Sequence, residues 1–174
     1  KAPWTISACV YATTGAIEYA KFYQLVLLGA SFFLSVHFTL RWFSLSVVSA
    51  SLLSFVITFS PVVVGQSLSF YVDGQFAVFT LLTLYFICDW ITNFEEKVPL
   101  VLLILCLIYF INIKFTGLIY SLVFLFFAFS WVLWKERGSV LKMVLKLSVV
   151  MTVAIFLFGY ATYTRNILQH GHPF

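Results

Sequence analysis

Residues 115–134 read FTGLIYSLVFLFFAFSWVLW, twenty positions without a charge, closed by Lys135. An α-helix needs about 20 mostly apolar residues to cross a hydrocarbon core of about 30 Å. Just upstream, Val98 to Ile113 is a second uncharged run, separated from the first by Lys114 alone. Inside hydrocarbon every backbone amide needs an internal partner, which only helices or a closed barrel provide. These runs do not alternate with period two as barrel strands do, so they predict helices.

The same criterion, applied to the whole chain, gives six runs: Phe22–Leu40, Trp42–Val63, Gly74–Trp90, Val98–Ile113, Phe115–Trp134 and Met143–Tyr163. The predicted fold is an all-α polytopic transmembrane bundle of about six spans over residues 22–174. Residues 1–21, richer in Thr, Ala and Gly, read as a surface helix or the remnant of an earlier span. No internal repeat or low-complexity linker marks a further domain. Lys1 is not an initiator Met, and no polar tail follows Pro173-Phe174, so the sequence reads as a piece of a longer polytopic protein. Lys1 leads into Pro3, Trp4 and small polar residues, which is not the pattern of a cleavable signal sequence.

Composition agrees with that solvent. Of 174 residues 63% are hydrophobic, 20% aromatic and 9% charged, and the mean hydropathy is +1.06. Soluble domains carry about 25% charge, so a water-soluble enzyme is excluded. Four Pro, eight Gly, three Cys and 21 Phe exclude disorder, collagen and a disulfide scaffold. The net charge of +4 comes from basic residues dispersed between apolar runs, a pattern that orients a membrane protein and does not grip nucleic acid. Arg41, Lys97, Lys135, Arg137, Lys142 and Lys146 fall on one side, against Lys1, Lys21, Lys114 and Arg165 on the other. The richer side reads as cytoplasmic. Trp42, Trp90, Trp131 and Trp134 sit near that interface, where indole rings prefer to lie.

Three polar motifs fall in connections on the extracytoplasmic side. Phe70-Tyr71-Val72-Asp73-Gly74-Gln75 stands at the end of a loop that begins around Pro61 and leads into the third run, with Asp73 where a helix N-cap belongs. Its carboxylate serves either as a plain cap or as a general base, a grip for a sugar hydroxyl, or a ligand for a divalent cation. Asn112-Ile113-Lys114-Phe115-Thr116-Gly117 holds Lys114 close to the bilayer surface, where an ammonium snorkels, pairs with an acid or meets an anion. Tyr163-Thr164-Arg165-Asn166, with His170-Gly171-His172-Pro173-Phe174 after it, offers a guanidinium suited to phosphate and two imidazoles. Two His one residue apart, with no Cys, Asp or Glu at short spacing, favour phosphate over metal. Two spans separate each motif from the next, so all three reach one face.

Other polar residues read structurally. Glu95, Glu96 and Lys97 form a solvated turn, Asp89 a helix-end group, and His37 with Arg41 an interfacial pair one turn apart. Glu18 is a reserve carboxylate near Lys21. Cys9, Cys88 and Cys106 lack the C-x-x-C spacing and read as packing residues. Gly29, Gly117 and Gly159 permit close helix approach.

Tyr71-Val72-Asp73-Gly74-Gln75, then Lys114-Phe115-Thr116-Gly117-Leu118, then Thr164-Arg165-Asn166 with His170-Gly171-His172-Pro173-Phe174, in that order between apolar runs, resemble poorly characterised bacterial polytopic membrane proteins. These in turn are similar to the GT-C glycosyltransferases and related cell-surface polysaccharide proteins. The resemblance covers roughly Ser67 to Phe174. It implies an integral membrane enzyme of the bacterial inner membrane that transfers a sugar from a polyprenyl-phosphate carrier on the extracytoplasmic face. Carried over residue by residue, the catalytic acid maps to Asp73, and the carrier phosphate to Lys114 and Arg165 with His170 or His172. The family's acid usually lies in the first extracytoplasmic loop, whereas at least two spans precede Asp73 here. A lipid-linked glycan transporter and a non-catalytic assembly subunit use the same charges differently: the first guides an anionic lipid with them, the second anchors itself by them.

Overall fold

The computed structural model describes residues 2–69, 71–93, 96–135, 140–155 and 165–171. Its described elements are helical: α1 (Ala2–Thr14), a 3-10 turn (Ile17–Tyr19), α2 (Ala20–Phe43), α3 (Val47–Thr58), α4 (Pro61–Ser67), α5 (Val72–Thr92), α6 (Lys97–Ile113), α7 (Phe115–Lys135), α8 (Val140–Val153) and α9 (Arg165–His170). Four of the six apolar runs, Phe22–Leu40, Gly74–Trp90, Val98–Ile113 and Phe115–Trp134, each lie within one helix; Trp42–Val63 is divided over the end of α2, α3 and the start of α4, and Met143–Tyr163 lies partly outside the described residues. Among the described residues three segments are long and apolar enough to cross a membrane: Ile17–Phe43, Val72–Thr92 and Phe115–Lys135. A fourth joins them if Val47–Thr58 and Pro61–Ser67, bent by 58° at their junction, act as one span. Among the described residues the count of six is not reached by length and hydropathy, because α6 has 17 residues, about 26 Å of helix against a core of about 30 Å.

Three helices, α2, α3 and α7, bury small and polar residues and expose large apolar ones, whereas α5 and α6 bury Phe79, Phe86, Trp90, Leu103, Leu107 and Phe110. On α2 the buried positions are Ala20, Gln24, Leu28, Ser31 and Thr39, while Phe22, Val26 and Phe33 are exposed. On α3, Ala50, Ser54 and Thr58 are buried and Leu52, Phe55 and Val56 exposed. On α7 the buried stripe is Gly117, Ser121, Leu125, Ala128 and Val132, and the exposed face carries Leu122, Phe126 and Phe127. Phe33 is 72% exposed and Ser54 is fully buried. In water that arrangement would be strongly unfavourable; in lipid it is the expected one, because tails solvate Phe and Val while small residues let helix backbones approach. This is the build of an integral membrane protein.

The chain divides into two compact units, residues 2–85 and 86–174, with the boundary inside α5. In the first, α2 packs on α1, α3 and α4. The Thr39 and Ser54 hydroxyls meet across α2 and α3 at 3.4 Å. Because the paired backbones are already saturated, this contact is made by side chains alone. In the second, α6, α7 and α8 pack together around buried Ile111 and Ala154. Asn112 closes that unit by donating to the Ile108 carbonyl at 2.8 Å and the Ala154 carbonyl at 3.3 Å.

Candidate functional site

The entry to α5 carries the candidate site, and α4 positions it. Ser60 caps α4 by accepting from the Val63 amide at 3.4 Å, and Pro61 supplies the first helical residue, where its missing N–H costs nothing. A proline there also keeps Ser60 out of the helical region, so α3 stops and the chain turns by 58°. After about two turns α4 ends at Ser67. Ser69 donates to the Gln66 carbonyl at 2.9 Å and accepts from the Tyr71 amide at 3.4 Å, which hands the chain to α5.

The first turn of α5 is pinned from two sides. A Cβ at Gly74 would lie 3.1 Å from Gln66 Cβ and from the Ser67 amide nitrogen and hydroxyl oxygen, so α5 lies directly on the end of α4. On the opposite flank the Gln75 amide donates to the Tyr23 hydroxyl of α2 at 2.6 Å, and Gln75 is buried. Between α4 and this turn lies an open cleft of about 450 Å³, lined by Pro61, Val62, Gly65, Gln66, Ser69, Tyr71 and Asp73. Its polar lining is one carboxylate, one amide and two hydroxyls. A Cβ added at Gly65 would meet nothing within 4 Å, so this glycine forms an open part of the wall.

Asp73 is half-buried and lies inside the first turn of α5, since the helix starts at Val72. It is therefore two residues past the N-cap position, which the sequence reading assigns to it. A carboxylate in a first turn still benefits from the unsatisfied amides there.

The remaining sequence-derived site residues belong to the second unit. Lys114 is the one-residue connection between α6 and α7, extended and exposed, and its carbonyl accepts from the Gly117 amide at 2.8 Å. A Cβ at Gly117 would overlap the Phe110 carbonyl oxygen. Only glycine permits so tight a hairpin. Arg165 opens α9, exposed, with its Nε donating to Gln169 at 3.2 Å. His170 lies in the last turn of α9 and is exposed; His172 lies outside the described residues. The cleft takes in Asp73 and none of Lys114, Arg165 or His170.

Elsewhere, Glu18 in the 3-10 turn forms an ion pair with Lys21, so the reserve carboxylate has a local partner. Asp89 accepts from Asn93 at 2.9 Å near the end of α5. His37 stacks edge-on to Tyr85 with ring centroids 6.1 Å apart. Among the described residues no group of three or more His, Cys, Asp or Glu gathers as metal ligands would. Gln66, Ser69 and Gly65 are the cleft residues that the sequence reading passed over; Ser60-Pro61, a cap followed by a first-turn proline inside an apolar run, is the signal for the break that exposes them. No protein-family model, curated protein or solved structure matches this chain.

Proposed function

We propose that this is a bacterial inner-membrane protein of six crossings that transfers a sugar from a polyprenyl-phosphate carrier at the extracytoplasmic face, with the Asp73 cleft receiving the hydroxyl-bearing reactant. The observation that carries this reading is the cleft's lining: Asp73, Gln66, Ser69 and Tyr71 around about 450 Å³. A carboxylate, an amide and hydroxyls are the groups that satisfy sugar hydroxyls, which need donors and acceptors at short range. In the transfer, Asp73 takes the proton of the acceptor hydroxyl while its oxygen bonds to the anomeric carbon. The bond from that carbon to the carrier phosphate breaks, and its electron pair leaves with the phosphate. Lys114 and Arg165, with His170 or His172, offset the charge gathering on the departing phosphate. The reading takes the runs Gly74–Trp90, Val98–Ile113, Phe115–Trp134 and Met143–Tyr163 as crossings, and on that parity the three motifs share one rim.

A second reading, a transporter of the same lipid-linked glycan, draws support from the 58° break between α3 and α4, since transporters build their sites from interrupted helices. The two readings separate in one assay. The intact protein is reconstituted in vesicles with a radiolabelled polyprenyl-phosphate sugar and a hydroxyl acceptor. Transferase activity gives labelled acceptor, reduced about 100-fold or more in Asp73→Asn; a transporter moves the headgroup between leaflets with its bond to the carrier intact. Full transfer by Asp73→Asn would remove Asp73 from the mechanism.

A further inference from the structure

The rim at the end of α7 carries charge that the cleft reading does not use. Lys135 ends α7, and the sequence from Lys135 to Lys146 holds Lys135, Arg137, Lys142 and Lys146 against Glu136, a net of +3. Lys135, Lys142 and Lys146 are all exposed. Lys142 and Lys146 lie one turn apart on α8. At about 100° per residue they face about 100–140° away from Leu147, which is buried. They therefore point away from the packed side of their helix. Being in the first two turns of α8, they also gain nothing from its dipole, whose positive end is there.

Two indoles mark the depth. Trp131 and Trp134, one turn before Lys135, meet edge to face with centroids 5.8 Å apart, and Trp134 is 80% exposed. Exposed indole rings at the end of a membrane-length helix settle at the headgroup layer. Because α7 and α8 pack together and only residues 136–139 join them, the lysines reach that same layer.

From this juxtaposition of three exposed lysines and an indole pair we infer that the α7–α8 rim is a binding surface for anionic phospholipid headgroups. The phosphate of the lipid meets the ammonium groups, and its acyl chains lie along Trp131, Trp134 and the exposed Leu141 and Leu145. Each lysine near a charged leaflet favours an anionic lipid by roughly fivefold at low salt, corresponding to about 1 kcal/mol, and salt screens it.

The test uses the full chain with Trp4, Trp42 and Trp90 changed to Phe, in bilayers that contain brominated phosphatidylglycerol or brominated phosphatidylcholine at equal fraction. At low salt the anionic lipid should quench Trp131 and Trp134 as strongly as several-fold more of the zwitterionic one. Lys135→Gln, Lys142→Gln and Lys146→Gln together should abolish the difference. Equal quenching by the two lipids in the parent, or a preference that survives the triple change, overturns the inference. Should the triple variant fail to insert, the parent alone decides: a preference unchanged at 1 M salt, where screening is within about 3 Å, also overturns it.

Discussion

Gly74 meets Ser67 so closely that a Cβ at position 74 would lie 3.1 Å from the Ser67 amide nitrogen and hydroxyl. That contact sets the distance between α4 and the first turn of α5, and so the width of the cleft beside Asp73. Replacing Gly74 with Val should push the two helices apart at a cost of about 1–3 kcal/mol, the usual range for overpacking. Unfolding in mixed micelles measures the loss; an unchanged stability would mean that the two helices do not meet there.

Gly65 offers the opposite experiment. Its Cβ direction is open and the residue is helical, so Gly65→Leu should fill the cleft without a clash. Helix propensity favours the change by up to about 1 kcal/mol. Stability should hold or rise while sugar transfer falls roughly tenfold, about 1.4 kcal/mol in binding. Transfer at the parental rate by a stable Gly65→Leu protein would show that the cleft is not used.

At the α6–α7 hairpin the tolerance is smaller. A Cβ on Gly117 runs into the Phe110 carbonyl, which belongs to rigid backbone. Gly117→Ala should therefore cost about 3 kcal/mol, although the added group is a single methyl. The same unfolding assay reads it, and a neutral result would mean that the hairpin is more open than the structure has it.

The hydroxyl pair between α2 and α3 should contribute little. Thr39 and Ser54 meet at 3.4 Å, the long end of hydrogen bonding, and interhelical hydrogen bonds in membranes average about 0.6 kcal/mol. A double-mutant cycle of Thr39→Val and Ser54→Ala should return a coupling of about that size. Ser54→Leu, in contrast, should cost several times more, because Ser54 is fully buried against α2. A large coupling in the cycle would show the pair to be a principal tie.

Much of the helical build was legible because the lipid requirement is strong: uninterrupted apolar length is read directly from runs such as Phe115–Trp134. Pro61 was legible as the start of a break, but the segment after it reads as a loop, whereas Pro61–Ser67 is a short helix capped by Ser60. The six-span count ran ahead of helix length at α6. Which face of each helix is buried also escaped the apolar pattern, since lipid and protein interior are equally apolar; on α2, α3 and α7 the small and polar residues, Ser31, Ser54, Gly117 and Ser121, mark the inner face, while α5 and α6 bury large apolar ones. Of the candidate site, Asp73 was singled out by its place ahead of an apolar run. Its companions Gln66 and Ser69 became visible only when α4 folded back beside it. Lys114 and Arg165 were read as sharing a face from the parity of crossings, a property of the membrane and not of local sequence.

That parity is open to direct measurement. With Cys9, Cys88 and Cys106 replaced by Ser, single changes Asp73→Cys, Lys114→Cys and Arg165→Cys are treated in sealed vesicles with a thiol reagent that does not cross lipid. All three should react from the same side. Reaction of positions 73 and 165 from opposite sides would separate the acid from the cations and end the proposed mechanism.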